Sequence, residues 1–272
     1  MNDITRIQTL FRPHDYYSRM RPSLFTTYLR LALKRAVARG SLDVEDVVGY
    51  KVSHVNLKNL CQLFDEIFIN CIYHFTSAGD APLIIDCGSN IGMSILFFKK
   101  LYPGARVVGF EPDRTTYGKL EENIRLNNLQ HVRVYNQAVS DQNGTITFYK
   151  DPDIVGSHVM SVLDKRTSGQ KVEIDAVRLS EFITEEVDFL KLDIEGSETL
   201  VIRELSETNK LRMIKELIIE YHHHFLDKDD DNLSEFLHLL EKNGFGYQLA
   251  SNVRIPFSRR ISNDLIIYAY RK

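Results

Sequence analysis

Tryptophan is absent from this 272-residue chain, and cysteine is nearly so, with only Cys61, Cys71 and Cys87. An odd trio at these spacings forms neither a zinc-ligand set nor a disulfide framework, which suits a reducing compartment and a cytoplasmic location. No run of about 18 uncharged apolar residues occurs, so no membrane-spanning helix is expected. The opening residues, MNDITRIQTLFRPHD, lack the apolar core of a secretory leader. Positive charge is not in excess either: 34 basic residues face 37 acidic ones, for a net charge of −3. That balance excludes a global field drawing the chain to nucleic acid. Glycine and proline are few, 14 and 7, which excludes collagen-like and low-complexity architecture.

What is present is ordinary for a globular chain: 43% hydrophobic residues, with 15 Phe and 13 Tyr to build a core. The length fits one domain with an appendage, or two small ones. Residues 1–40 are unevenly basic, with Arg6, Arg12, Arg19, Arg21, Arg30, Lys34, Arg35 and Arg39 against Asp3 and Asp15. Pro22 and Ser23 predict a helix start and Gly40 its end, with Leu24, Tyr28, Leu31 and Leu33 on an apolar side. This helix reads either as a docking helix with a solvated basic face or as a patch for an anionic lipid-linked or phosphorylated acceptor. A second helix is predicted over 57–75, where Leu60, Leu63, Phe64, Ile67 and Phe68 recur at helical spacing. The loop TSAGDAP ends it, which divides the chain into a helical extension (1–80) and a main domain (81–272).

From residue 83 apolar runs alternate with amphipathic stretches. The runs are LIIDC, ARVVGF, VRVYN, VDFLKLD and ELIIEY, with helical stretches near 92–101, 114–127, 197–205 and 232–243. Continuously apolar strands spaced by helices predict a parallel sheet covered on both faces. FGYQLA and DLIIYAY follow one another without a helix and predict an antiparallel pair at a sheet edge. The stretch 141–180 breaks the alternation. Asn143-Gly144 marks a turn there, and the polar residues 150–170 predict part of a lid, with His158 a weaker base candidate.

The segment LIIDCGSNIGMS carries most of the chemistry. A buried strand ends in Asp86, and Gly88, Asn90 and Gly92 then make a tight loop before a helix. The G-x-G-x-x-G pattern of a dinucleotide site is missing, because these positions read Gly, Asn, Gly and Met93 stands at the last. An acid at the strand end repels a pyrophosphate and suits a cation. The next strand ends in Glu111, 19 residues after Gly92, close to the spacing at which an acid binds ribose hydroxyls. A ribose clamp without a phosphate cradle, beside an acid, points to S-adenosylmethionine. Gln137 and Ala138 follow the third strand, where the adenine edge is expected.

Two further strands end in acids. Asp193 closes VDFLKLD and is expected beside the sulfonium, at the switch in strand order. Ser197 is a candidate cap for the next helix, with Glu198, and Glu195 in part, in support. In IIEYHHHF, Glu220 and His222 share one side of a strand. His222 suits a general base, since imidazole titrates near working pH. A divalent ion, magnesium or manganese, held by Asp193, Glu220 and His222 is the alternative proton-handling device.

These residues together resemble the FkbM family of S-adenosylmethionine-dependent methyltransferases. The resemblance rests on EIFINCIYHF, IIDCGSNIGMS, GFEPD, LEENIRLNNL, QAVSDQNGTITFY, FLKLDIEGSE and ELIIEYH, and spans about 57–222. It implies a Rossmann-like class I methyltransferase fold: a mostly parallel seven-stranded sheet with an antiparallel edge strand, plus the N-terminal extension. It implies O-methylation of a sugar, glycan or natural-product hydroxyl, and carries over Asp86, Gly88, Asn90, Gly92 and Glu111 as cofactor residues with Asp193 at the active centre. Residues 1–50 lie outside it. A non-catalytic protein that binds the same cofactor is the rival reading. Nucleic-acid methylation is disfavoured, as neither a DPPY loop nor a Pro-Cys nucleophile appears. Acceptor identity and self-association into a homo-oligomer are not written in these motifs.

Overall fold

The computed structural model describes residues 15–37, 44–150, 160–161, 170–223, 233–251 and 263–272. Its centre is a seven-stranded sheet built from β3 (Leu83–Cys87), β4 (Arg106–Phe110), β5 (Val132–Tyr135), β10 (Val187–Leu192), β11 (Ile214–His223), β12 (Phe245–Ser251) and β13 (Asn263–Arg271). The strand order is β12-β13-β11-β10-β3-β4-β5. The pairs from β11 through β5 are parallel, and β13 is antiparallel to both neighbours. The reversed strand therefore lies second from the edge, with β12 outermost, rather than at the edge itself. β13 lies between β12 and β11 and pairs with both. With the helices below and the switch in strand order, this is the class I methyltransferase fold.

Four helices cover the sheet: α3 (Met93–Leu101), α4 (Arg114–Leu126), α5 (Glu198–Glu207) and α6 (Leu233–Lys242). Each matches a stretch read from the sequence. Asp113 caps α4, its Oδ1 accepting from the Thr116 amide at 2.8 Å and the Thr116 hydroxyl at 2.9 Å. Alternation along the strands assigns side chains to two cores. Leu83, Ile85, Leu190, Leu192, Leu217 and Ile219 join one core, while Ile84, Phe189 and Ile218 join the other. The same alternation carries Asp86, Lys191 and Glu220 onto the Ile84–Phe189–Ile218 side, at the carboxyl ends of the strands.

That side is closed by the N-terminal segment, whose packing crosses the predicted boundary at residue 80. Phe75 stacks on Phe189 with centroids 4.4 Å apart, and Phe68 meets Phe97 edge-on at 5.4 Å. The second predicted helix is shorter than its periodicity suggested. It is α2 (Leu57–Leu63), capped by Asn56 through the Asn59 amide at 2.8 Å, and it widens into a π-helical turn over Phe64–Ile69. The first helix, α1 (Asp15–Val37), starts earlier than predicted, with Pro22 inside it. The Ser23 and Thr26 hydroxyls bond the carbonyls of Met20 and Pro22 along that stretch. Leu24, Tyr28 and Leu31 are buried as expected, but Leu33 is 65% exposed and joins Phe25 and Leu29 on the outer face. Gly40 and Arg39 lie outside the described residues.

A hairpin of β1 (Val44–Val47) and β2 (Tyr50–Ser53) was not foreseen. Its turn is Val48-Gly49, both at positive φ, 47° and 91°. Such a pair matches the twist of a two-residue hairpin. Asn123 of α4 clamps it: its Oδ1 accepts from Ser53 N, and its Nδ2 donates to the Ser53 and Ile91 carbonyls. The irregular stretch is a small sheet in the order β6-β9-β7-β8, made of β6 (Ala138–Ser140), β7 (Gly144–Lys150), β8 (Met160–Ser161) and β9 (Gln170–Arg178). Most of the proposed lid, His158 included, lies outside the described residues. Among the described residues no helix is long and apolar enough to cross a membrane.

Candidate active site

Strand order reverses between β3 and β10, and an open cavity of about 840 Å³ lies at their carboxyl ends. Ligands of open α/β sheets bind at such a switch point. Gly88, Ser89, Asn90, Glu111, Gln137, Ala138, Lys191, Asp193 and Glu195 all line it. Five of the seven cofactor residues expected from sequence are thus gathered in one wall. Gly88 stands at φ +86°, and a Cβ there would overlap the carbonyl oxygen of Asp193. Only glycine permits this close approach of the two strand ends, which the Asp193 amide ties to Cys87 O at 3.1 Å.

The loop organises Glu111. Asn90 adopts a left-handed conformation, φ 50°, and its own side chain accepts from Ile91 N at 2.7 Å. The Asn90 amide then donates to Glu111 Oε2 at 2.9 Å, and the Asp113 amide donates to Oε1 at 2.8 Å. Burial pushes the Glu111 carboxyl up to about 7, although these two backbone bonds pull it down. Phe110, Pro112 and Val139 add apolar walls beside Gln137 and Ala138.

Asp86 and Gly92 do not line the cavity. Asp86 is fully buried; its Oδ2 accepts from Ser94 at 2.5 Å and its Oδ1 lies 3.4 Å from Lys191 Nζ. It acts from behind the wall, through a lysine that the sequence reading passed over. Lys191 is 2% exposed and donates to Gly88 O at 2.8 Å. Its ammonium is 3.3 Å from Asp193 and 5.3 Å from the centre of the Tyr73 ring. Burial opposes its charge, but Asp193, Asp86 and Glu220 outweigh that and hold it above the usual lysine range. A charged residue inside the apolar run FLKLD was the available signal.

His222 needs correction as a base that titrates near neutrality. Its Nδ1 lies 2.8 Å from Glu198 Oε1 and its Nε2 3.2 Å from Glu195 Oε2. Burial lowers its affinity for a proton, but Glu198, then Asp193 and Glu220, raise it to about 9. At neutral pH the imidazole is therefore charged, its Nδ1 donating to Glu198 and its Nε2 end forming an ion pair with Glu195. It braces the turn that presents Glu195, where Glu195 and Gly196 sit at φ 58° and 111°. Glu198 completes the brace by accepting from the amides of Ile194 and Gly196 at 3.3 and 3.1 Å. Ser197, the expected cap, makes no side-chain cap bond.

The expected metal set also changes membership. Atoms of Asp193, Glu195 and His222 lie within 4.8 Å of one another, whereas Glu220 is outside the cluster. Glu220 remains close enough to act on Lys191 and His222 through its charge. A divalent ion here would have to displace the imidazole proton and compete with the Lys191 ammonium for Asp193, so the residues present fit protein cations better. The cavity lining carries Glu111, Asp193 and Glu195 against Lys191, and that lysine is already matched by Asp86. The balance left for a ligand is negative, and no phosphate cradle is present among the lining residues.

Comparison with known proteins agrees with this geometry. Residues 86–247 match the methyltransferase FkbM domain. A protein of Beauveria bassiana called methyltransferase 1 is 30% identical over 52% of this chain and 66% of its own length. The 31-O-demethyl-FK506 methyltransferase FkbM of Streptomyces tacrolimicus is 30% identical over 72% of this chain and 86% of its length. The 2-O-methyltransferase NoeI of Sinorhizobium fredii is 30% identical over 49% of this chain and 61% of its length. The chain thus spans about two thirds of the Beauveria relative. It belongs to the FkbM methyltransferase family.

Replacing Glu111 with Gln tests the diol clamp. Losing a charged acceptor costs about 1.5–3 kcal/mol, so the affinity for S-adenosylhomocysteine is expected to fall about 10- to 150-fold. In the native chain affinity should also weaken as pH drops through about 7, because the carboxyl protonates, loses its charge and accepts more weakly. Calorimetric titration across pH reads both effects.

Proposed function

We propose that this chain transfers the methyl group of S-adenosylmethionine to a hydroxyl of a sugar, glycan or natural-product acceptor. The observation that carries the reading is the cavity itself, lined by the carboxylate of Glu111, the apolar side chains of Phe110 and Val139, and the acids Asp193 and Glu195. A cationic nucleoside without phosphate fits that distribution. When bound it supplies an electrophilic methyl on a sulfonium. Glu111 holds the nucleoside by its hydroxyls, Gln137 and Ala138 bound the base, and Asp193 offsets the positive charge. Lys191 fixes Asp193 and the Gly88 carbonyl, so the wall is set before the ligand arrives. Much of the acceleration then comes from holding two reactants in attack geometry, which offsets about 7–11 kcal/mol in favourable cases.

The hydroxyl acceptor is supported by relatives whose names specify O-methylation, at position 31 of a demethylated FK506 and at a 2-O position. The decisive test is incubation with methyl-labelled cofactor and host glycan, glycolipid and natural-product fractions, with and without chelator. Label is expected on an acceptor oxygen, and chelator is expected to leave the rate unchanged. Tight cofactor binding with no label in any hydroxyl-bearing fraction would favour a non-catalytic binding protein instead.

A further inference from the structure

The segment that precedes β3 closes one side of the cavity through Leu63, Ile67 and Tyr73. The chain around Tyr73 holds it there. Cys71 turns the backbone at φ 53°, His74 N donates to Cys71 O at 3.0 Å, and Phe75 stacks on Phe189. The Tyr73 ring lies 6.4 Å from Phe98, and the Lys191 ammonium sits over it at 5.3 Å. The residue is only 6% exposed. Among the described residues its hydroxyl has no hydrogen-bond partner, and it is not one of the polar atoms sealed from solvent. The opening that the residue lines is the cavity. Buried tyrosine hydroxyls usually find a partner, so a phenol placed here is a donor waiting for an acceptor.

The glycine loop does not supply that service to a ligand, because its amides are spent within the protein. Gly88 N and Ser89 N donate to Phe110 O at 3.0 and 2.8 Å, Asn90 N to Glu111, Ile91 N to the Asn90 side chain, and Gly92 N to Ser89 O. Beyond β10, Asp193 N donates to Cys87 O, and Ile194 N and Gly196 N donate to Glu198. The lining side chains are committed as well. Ser89 and Ser94 donate to the carbonyl and the carboxylate of Asp86, Thr116 donates to Asp113, and Lys191 is matched by Asp86 and Asp193. Gln137 belongs with Ala138 and Phe110 at the expected base edge. S-adenosylmethionine also brings an amino-acid end, with an ammonium and a carboxylate. Asp193 and Glu195 suit the ammonium. The carboxylate enters a cavity already lined by three acids and needs a donor that no protein group uses.

We propose that the Tyr73 hydroxyl donates a hydrogen bond to the carboxylate of the cofactor's amino-acid end. The inference rests on the S-adenosylmethionine reading above and assigns a further residue to that site. The Lys191 ammonium over the ring lends the same corner positive potential. Burial, then Asp193 and Glu220, hold the phenol well above its usual range, so Tyr73 keeps its proton and stays a donor.

Tyr73→Phe removes the hydroxyl and keeps the ring. Calorimetric titration compares the native and variant chains with S-adenosylhomocysteine and with its decarboxylated analogue. Affinity for S-adenosylhomocysteine is expected to fall about 10- to 150-fold in the variant, the range for a hydrogen bond to a charged group. The analogue has no carboxylate and should bind both chains alike, which also shows that the variant is folded. Unchanged affinity for S-adenosylhomocysteine overturns the proposal. So does an equal loss with both compounds, the mark of a merely structural effect. Native sequence labelled with fluorotyrosine gives a second measurement without any substitution. Tyr73 is the one tyrosine among the described lining residues, so one fluorine resonance is expected to move with S-adenosylhomocysteine and not with the analogue. If no resonance separates the two compounds, the assignment is overturned while cofactor binding stands. A native chain that binds neither compound contradicts the cofactor reading itself.

Discussion

Asp193→Asn is expected to lower turnover by about 100- to 1,000-fold, the scale of removing one preorganised electrostatic group at a reacting centre. The residue follows β10 directly, its amide bonded to Cys87 O at 3.1 Å, so its position is fixed by the sheet rather than by a loop. Its carboxylate lines the cavity and lies 3.3 Å from the buried Lys191 ammonium. Asparagine keeps the shape and removes the charge. The donor then loses its counter-charge, and Lys191 keeps Asp86 at 3.4 Å and the more distant Glu220. Steady-state rates with labelled cofactor, with circular dichroism to confirm folding, measure the effect. Turnover close to native would contradict the placement of Asp193 at the centre.

Lys191→Met is expected to destabilise the fold by about 3–5 kcal/mol, the cost of removing one partner of a buried ion pair. Asp86 is fully buried, and after the substitution its charge would face only the Ser94 hydroxyl. At a urea slope of about 1–3 kcal/mol/M, the unfolding midpoint should drop by at least about 1 M. Adding Asp86→Asn should recover most of the loss, because the stranded charge goes with it. A midpoint unchanged in the single variant, or no recovery in the double one, would contradict the account of Lys191 as the ion that holds the two strand ends.

The sheet was legible because its strands are buried on both faces and so appear as unbroken apolar runs, LIIDC being the clearest. The loop from Gly88 to Gly92 was legible because positive φ demands glycine or asparagine, and the sequence supplies Gly88, Asn90 and Gly92. What sequence order could not reveal were contacts between distant segments. Lys191 drew no notice within its apolar run; register places it beside Asp86. His222 looked like a base until Glu198, 24 residues away, was found bonded to its ring. Glu195 and Tyr73 entered the site through a strained turn and a covering segment, neither of which has a periodic signature. The hairpin at 44–53 is too short to outcompete its flanks in a pattern reading, and its Lys51 and Ser53 backbone amides donate to the distant side chains of Asn127 and Asn123.

Titrating the purified chain with S-adenosylmethionine and S-adenosylhomocysteine, alongside a nicotinamide dinucleotide, puts the central idea to the most direct trial. Saturable heat with both sulfur nucleosides and none with the dinucleotide is the predicted outcome. Silence toward the sulfur compounds with uptake of the dinucleotide would mean that the acids around this cleft serve some other guest.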